Sequence, residues 1–131
     1  VVSRTSERVE DVLRQVGRRA PRAEVVLVGY PRLLGTTSGC AAFPVAQADL
    51  ARARALERAL AVALESAARR AGAAYLDLYA LSKGHEICSD DPWVNGAETD
   101  QERALAFHPF AEGQQAVADA LAEELRAGED S

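Results

Sequence analysis

Val25-Val26-Leu27-Val28-Gly29 and Ala73-Ala74-Tyr75-Leu76-Asp77-Leu78-Tyr79 are the stretches that decide the fold. The first is a short run of β-branched and apolar residues closed by Gly29 and Pro31, which reads as a strand buried on both faces. The second reads as another strand over 73–79. Between them, residues 46–71 read as one helix. Leu50, Ala53, Leu56, Leu60 and Leu64 fall on one face, arginines fill the other, and Gly72 stands where a helix C′ residue belongs. Strand, long helix and strand form a βαβ unit, with parallel strands and a right-handed crossover. That is the pattern of an α/β three-layer fold.

Working outward, residues 3–19 carry Val9, Val12, Leu13 and Val16 at the spacing of an amphipathic helix, which Pro21 stops. Residues 31–44 form a loop rich in Gly, Thr and Ser that contains Cys40, and residues 83–106 form a long polar loop that contains Cys88. Pro109 precedes a last helix over 111–126, with Val117, Ala120, Leu121 and Leu125 turned inward. Two strands make a poor sheet, because parallel sheets need several strands and helices on both faces. Further strands are therefore expected upstream.

At 131 residues the chain is one domain or part of one. Its 48% apolar and 27% charged residues argue against a wholly disordered chain. A net charge of −5 removes the electrostatic driving force toward nucleic acid or an anionic membrane. No apolar run reaches the ~18–20 residues of a membrane span, and Val1-Val2-Ser3-Arg4 does not open a signal peptide. The sequence contains no methionine, which suggests a processed or truncated piece or a misassigned start.

Few residues can carry chemistry. Cys40 and Cys88 follow the two strands, and the residues alone leave open a disulfide or two unrelated thiols. Without CxxC or clustered histidine they make no zinc site. His85 reads as a loop histidine. His108, in Phe107-His108-Pro109, sits between the long loop and the last helix. In open α/β sheets that is where ligand-binding loops gather, and a histidine there suits a general base or merely packs at the helix entrance. Asp90-Asp91-Pro92-Trp93 reads as a turn rather than a metal site, and Asp77 as a strand residue near the sheet end. There is no Gly-rich phosphate loop and no Gly-x-Ser-x-Gly elbow.

Val25 to Pro31, Ala73 to Tyr79, Gly84-His85-Glu86-Ile87-Cys88, Asp91-Pro92-Trp93-Val94 and Phe107-His108-Pro109-Phe110-Ala111-Glu112-Gly113 occur in this order. Together they resemble the C-terminal half of the SGNH hydrolases, the GDSL lipases and esterases, and within them the secreted actinobacterial branch. The resemblance covers nearly the whole chain. It implies a flavodoxin-like three-layer sandwich with a parallel sheet, of which residues 1–131 are the C-terminal portion. It also implies carboxylic ester hydrolysis through a serine acyl-enzyme, with no metal or organic cofactor, and a lipid or small-molecule ester as substrate. His108 would be the general base, and the secreted branch implies a Cys40–Cys88 disulfide and a secreted protein.

Three departures from the family pattern bear on this. No Gly-Asp-Ser block occurs, so the nucleophile is absent; no Gly-x-Asn-Asp occurs, so that oxyanion donor is absent. The position three before the histidine, often Asp in the family, is Leu105. Its main-chain carbonyl is the expected orienting group, since the third member of such a triad only fixes the ring; Asp100 is a backup. Ser3, Ser6, Ser66 and Ser131 read as helix or tail residues, and Ser38, Ser82 and Ser89 lie in loops without a strand–turn–helix elbow. The expectation is a chain that supplies the histidine but not the serine, completed by a missing N-terminal half. The alternatives are a non-catalytic remnant or interaction module, and an unrelated flavodoxin-like regulatory half-domain.

Overall fold

The structure, a computed structural model, describes residues 2–36 and 39–129. Ser38 and Ser131 lie outside the described residues. The order is α1 (Val2–Arg19), β1 (Val26–Val28), α2 (Gln47–Ala71), β2 (Ala74–Leu76), α3 (Leu78–Leu81) and α4 (Ala111–Glu129). β1 and β2 pair in parallel, with Val26 opposite Ala74, Leu27 opposite Tyr75 and Val28 opposite Leu76.

The crossover helix ends as its sequence dictates. Gly72 takes φ 73°, its N–H donates to Arg69 O at 3.2 Å, and the Ala73 N–H donates to Ala68 O at 2.9 Å. These two bonds form a Schellman motif, which glycine enters without the Cβ penalty of the left-handed region. Ala73 then leads directly into β2.

α1 lies against α2 through polar bonds as much as apolar ones. Ser6 Oγ donates to Ala63 O at 2.9 Å, and Arg70 Nη2 donates back to Ser6 Oγ at 3.0 Å. Arg70 Nε also reaches Glu10 Oε2 at 2.6 Å, and Arg14 Nη2 reaches Glu10 Oε1 at 2.6 Å. The hydrogen bond from Arg70 is the main reason the Glu10 carboxyl titrates below its ordinary value.

The core is small. Leu13, Leu50, Leu64, Ala67, Ala68 and Leu78 are buried around the βαβ unit, and Leu34, Ile87, Val94 and Phe110 extend it under the loops. Several residues read as inward are not. Val12 is 57% exposed, Val16 42%, Leu56 60% and Val28 36%, while Leu60 is half-buried and Leu125 is exposed. β1 is thus not buried on both faces. The apolar pattern is right, but each of these side chains needs a second neighbour: among the described residues β1 pairs only with β2 and packs on α2, and α1 packs extensively only on α2.

The second strand is also shorter than its sequence suggests. It stops at Leu76, and Asp77 turns the chain into α3 by accepting the Ala80 N–H on Oδ1 at 3.0 Å. Asp77 is therefore a helix cap rather than a strand residue.

Candidate active site

Two loops leave the carboxyl ends of the strands and close on each other. The first, after β1, is tied down at every turn. The Arg32 N–H donates to Ser82 Oγ at 2.7 Å, the Leu33 N–H donates to Glu57 Oε1 at 3.0 Å, and Leu33 O accepts from the Ile87 N–H at 3.1 Å. The Arg32 guanidinium lies 4.2 Å above the Tyr79 ring and 3.8 Å from Glu86 Oε1. Burial pushes the Glu57 carboxyl above its ordinary value, against the hydrogen bonds from Leu33 and Leu34.

The disulfide joins the same two loops. Cys40 and Cys88 are bonded, with their Cα atoms 5.7 Å apart. Beyond it, the Ala97 N–H donates to Ala42 O at 2.7 Å, and the Phe107 ring meets Phe43 edge-on at 5.6 Å between centroids. The segment that carries His108 is thereby fixed to the loop that follows β1, at the carboxyl end of the sheet.

His108 is exposed. Its Nδ1 lies 2.8 Å from Ala106 O, its own N–H donates to Leu105 O at 3.1 Å, and its carbonyl accepts from the Asn95 N–H at 2.9 Å. The carbonyl that meets the ring is thus that of Ala106, while Leu105 O, the carbonyl expected there, accepts the histidine's own backbone N–H. Phe107, between them, has φ 59°. That left-handed residue folds the chain back so that the carbonyl two residues before the histidine faces its ring. A carbonyl can only accept, so this contact puts the neutral ring's proton on Nδ1 and leaves Nε2 with its lone pair.

The other candidates have structural duties. Asp100 Oδ1 accepts the Glu102 N–H at 2.9 Å inside its own turn. His85 stacks on Trp93, rings 3.9 Å apart and 12° from parallel, and its Nδ1 lies 2.8 Å from Asp91 O and 3.2 Å from Asp91 Oδ2. Ser82 is fully buried, donating to Leu78 O at 2.6 Å, and Ser89 Oγ is enclosed. Among the described residues no group of three or more His, Cys, Asp or Glu side chains could hold a metal ion.

A largely apolar cavity of about 650 Å³ is lined among others by Tyr30, Leu64, Leu78, Trp93, Phe107 and Val117, though not by His108 itself. Phe107 and Pro109, which flank the histidine, form part of its wall. The short Trp93–α4 contact depends on Gly113: a Cβ there would stand 2.6 Å from Trp93 O.

The sequence profile of the GDSL-like Lipase/Acylhydrolase family matches residues 1–116. The chain belongs to this family. It is 33% identical over 106 residues to a lipase of Streptomyces rimosus, covering 81% of this chain and 38% of that one. Lipase 2 of Streptomyces coelicolor is 33% identical over 91 residues, 67% of this chain and 31% of the relative. Among solved structures, phospholipase A1 from Streptomyces albidoflavus superposes with a TM-score of 0.79 at 30% identity, covering 90% of this chain and 50% of that enzyme. The extracellular lipase from Streptomyces rimosus gives 0.77 at 28% identity with the same coverage. The architecture is accordingly a partial SGNH hydrolase fold, and the chain spans between about a third and a half of the length of these relatives.

Proposed function

We propose that this GDSL-family chain supplies the histidine base of a serine-dependent carboxylic ester hydrolase, and that serine and oxyanion donors come from a segment outside the 131 residues. The observation that carries the reading is the His108–Ala106 pair: an exposed imidazole, its Nδ1 committed to a main-chain carbonyl and its Nε2 free to accept. In the complete enzyme His108 takes the serine proton as the hydroxyl attacks the ester carbon, then returns it to the leaving alcohol. Water repeats the cycle on the acyl-enzyme. Preorganised donors in the other half stabilise the oxyanion. The apolar cavity suits a lipid or other apolar ester.

On this reading the other half adds to the free edge of the sheet. β1 bonds β2 through Val25 O and Gly29 N, so by alternation Val26 and Val28 direct their main-chain groups to the opposite, unpaired edge. α1 shares the α2 face, and a right-handed crossover through it puts the preceding strand on that edge. Secretion is part of the reading, supported by the disulfide and by an extracellular relative.

The test is hydrolysis of p-nitrophenyl butyrate by the 131-residue chain and by the chain joined to its upstream coding sequence. The expected result is turnover by the joined chain alone, falling by about four or more orders of magnitude in His108→Ala. Labelling of the isolated chain by a fluorophosphonate would place the nucleophile within it and overturn the reading. An upstream sequence without a Gly-Asp-Ser block would favour a non-catalytic remnant.

A further inference from the structure

Asn95 forms no hydrogen bond with the His108 ring, yet the segment that carries the histidine is organised around it. Its Nδ2 donates to Glu98 O at 2.8 Å and Ala104 O at 2.7 Å, with Leu105 O at 3.3 Å. Its Oδ1 accepts the Gly96 N–H at 2.8 Å, and its own N–H donates to His108 O at 2.9 Å. One half-buried amide therefore grips both ends of the segment from 96 to 108.

The part it grips is the strained part. Phe107, at φ 59°, holds a conformation that bulky residues rarely adopt and that persists only where the surroundings enforce it. Three bonds enforce it: the Phe107 N–H to Gly96 O at 3.0 Å, the Asn95 N–H to His108 O, and the Ala106 N–H to Thr99 Oγ1 at 3.2 Å. The last fixes the peptide next to the carbonyl that meets the ring. Released from these bonds, Phe107 would relax to negative φ and the Ala106 carbonyl would swing off Nδ1.

We infer that Asn95, assisted by Thr99, is a positioning residue: it holds the Ala106 carbonyl on His108 Nδ1 and so selects the tautomer whose Nε2 can take a proton. The inference rests on the reading of His108 as the base, but the arrangement is measurable without any ester. A histidine that merely packs at the helix entrance has no need of such a clamp.

The experiment is ¹⁵N-detected NMR of the two imidazoles in the 131-residue chain above their titration range. His85, held by Asp91, is the internal control. In the parent chain His108 is expected mainly as the Nδ1–H form. Asn95→Asp keeps the size but replaces the donor by an acceptor facing three carbonyls. The ratio of Nδ1–H to Nε2–H at His108 should then fall about fivefold, the worth of one ordinary hydrogen bond, with His85 unmoved. Thr99→Val should move His108 the same way by about twofold, a weaker bond of the same kind. A parent chain with the His108 proton on Nε2 overturns the inference. So does an unchanged ratio in Asn95→Asp with His85 also unchanged. If both histidines change in Asn95→Asp, the fold has been lost and Thr99→Val decides: an unchanged His108 ratio there overturns it equally. Esterase activity retained by the Asn95→Asp joined chain despite the tautomer shift would count against His108 as base and leave the clamp standing.

Discussion

The loops at the carboxyl end of the sheet and the edge of β1 make opposite bargains with regular structure. The loops contain almost none, yet they are joined by a disulfide and by main-chain bonds from Ile87 to Leu33 and Ala97 to Ala42, and held within by a ring stack and further main-chain bonds. β1 and α1 are regular, yet they leave Val12, Val16 and Val28 open to solvent and, among the described residues, one strand edge unpaired. The difference teaches that order around His108 does not depend on the completeness of the sheet. The carbonyl that meets its ring, the left-handed turn at Phe107 and the Asn95 amide bonded to the same segment all lie between 95 and 108. On the proposed reading, completion of the sheet supplies the nucleophile and buries the apolar edge.

The largest blow to that contrast is removal of the disulfide. Cys40 and Cys88 are separated by 48 residues, and the bond that closes this loop should stabilise by about 4 kcal/mol in the chain-entropy model. Cys40→Ser with Cys88→Ser should lower the urea midpoint accordingly, and most of the loss should appear as faster amide exchange between 83 and 110 rather than in α1. Equal loosening of both regions would mean that the loops are not anchored independently.

A smaller break lies at Gly113. The Cβ of Gly113→Ala would press on the Trp93 backbone in the first turn of α4, and overpacking of this kind costs about 1–3 kcal/mol. Trp93 fluorescence should shift as its stack with His85 is disturbed, while the salt-bridged α1–α2 contact keeps its far-UV signal. An unaltered tryptophan spectrum with unaltered stability would show that α4 can slide away, and that the loop is less tightly seated than its contacts imply.

What could be read from the sequence follows the same division. The βαβ unit was legible because its signals are local: a β-branched run, a 3.6-residue repeat over α2, and Gly72 at the one position where a left-handed residue was needed. Burial of Val12, Val16 and Val28 was not, because burial depends on neighbours that these residues do not include. Asp77 carried a cap signal overlooked inside an apolar run. That the carbonyl at the His108 ring is Ala106's rather than Leu105's was not legible, because a main-chain oxygen has no letter of its own and its direction is set by φ at Phe107. Asn95 was overlooked for a related reason: its partners are carbonyls, invisible as residue types, although an Asn-Gly pair in a long loop is itself a turn signal.

The finest test of the contrast uses two carboxylates that answer acid in opposite senses. Glu10, between Arg70 and Arg14, has its pKa lowered by those partners, so the folded state binds its proton less readily than the unfolded chain. Its contribution is present above the unfolded value, near 4.5, and is lost as pH falls through the lower folded value. Glu57, pushed up mainly by burial beneath the loop after β1, binds its proton more readily in the folded state. Its charge therefore opposes folding at neutral pH, and that opposition is relieved as pH falls through the raised folded value toward 4.5. Urea midpoints measured from pH 7 to pH 3.5 should separate them. Glu10→Gln should be slightly less stable than the parent at pH 7 and converge with it in acid, a small effect because solvent screens this pair. Glu57→Gln keeps an oxygen for the Leu33 N–H and removes the charge, so the parent should gain on this variant rather than lose as pH falls from 7 toward 4.5. Two variants converging in the same direction would mean that the loop carboxylate is solvated after all, and that the better-anchored region is not the drier one.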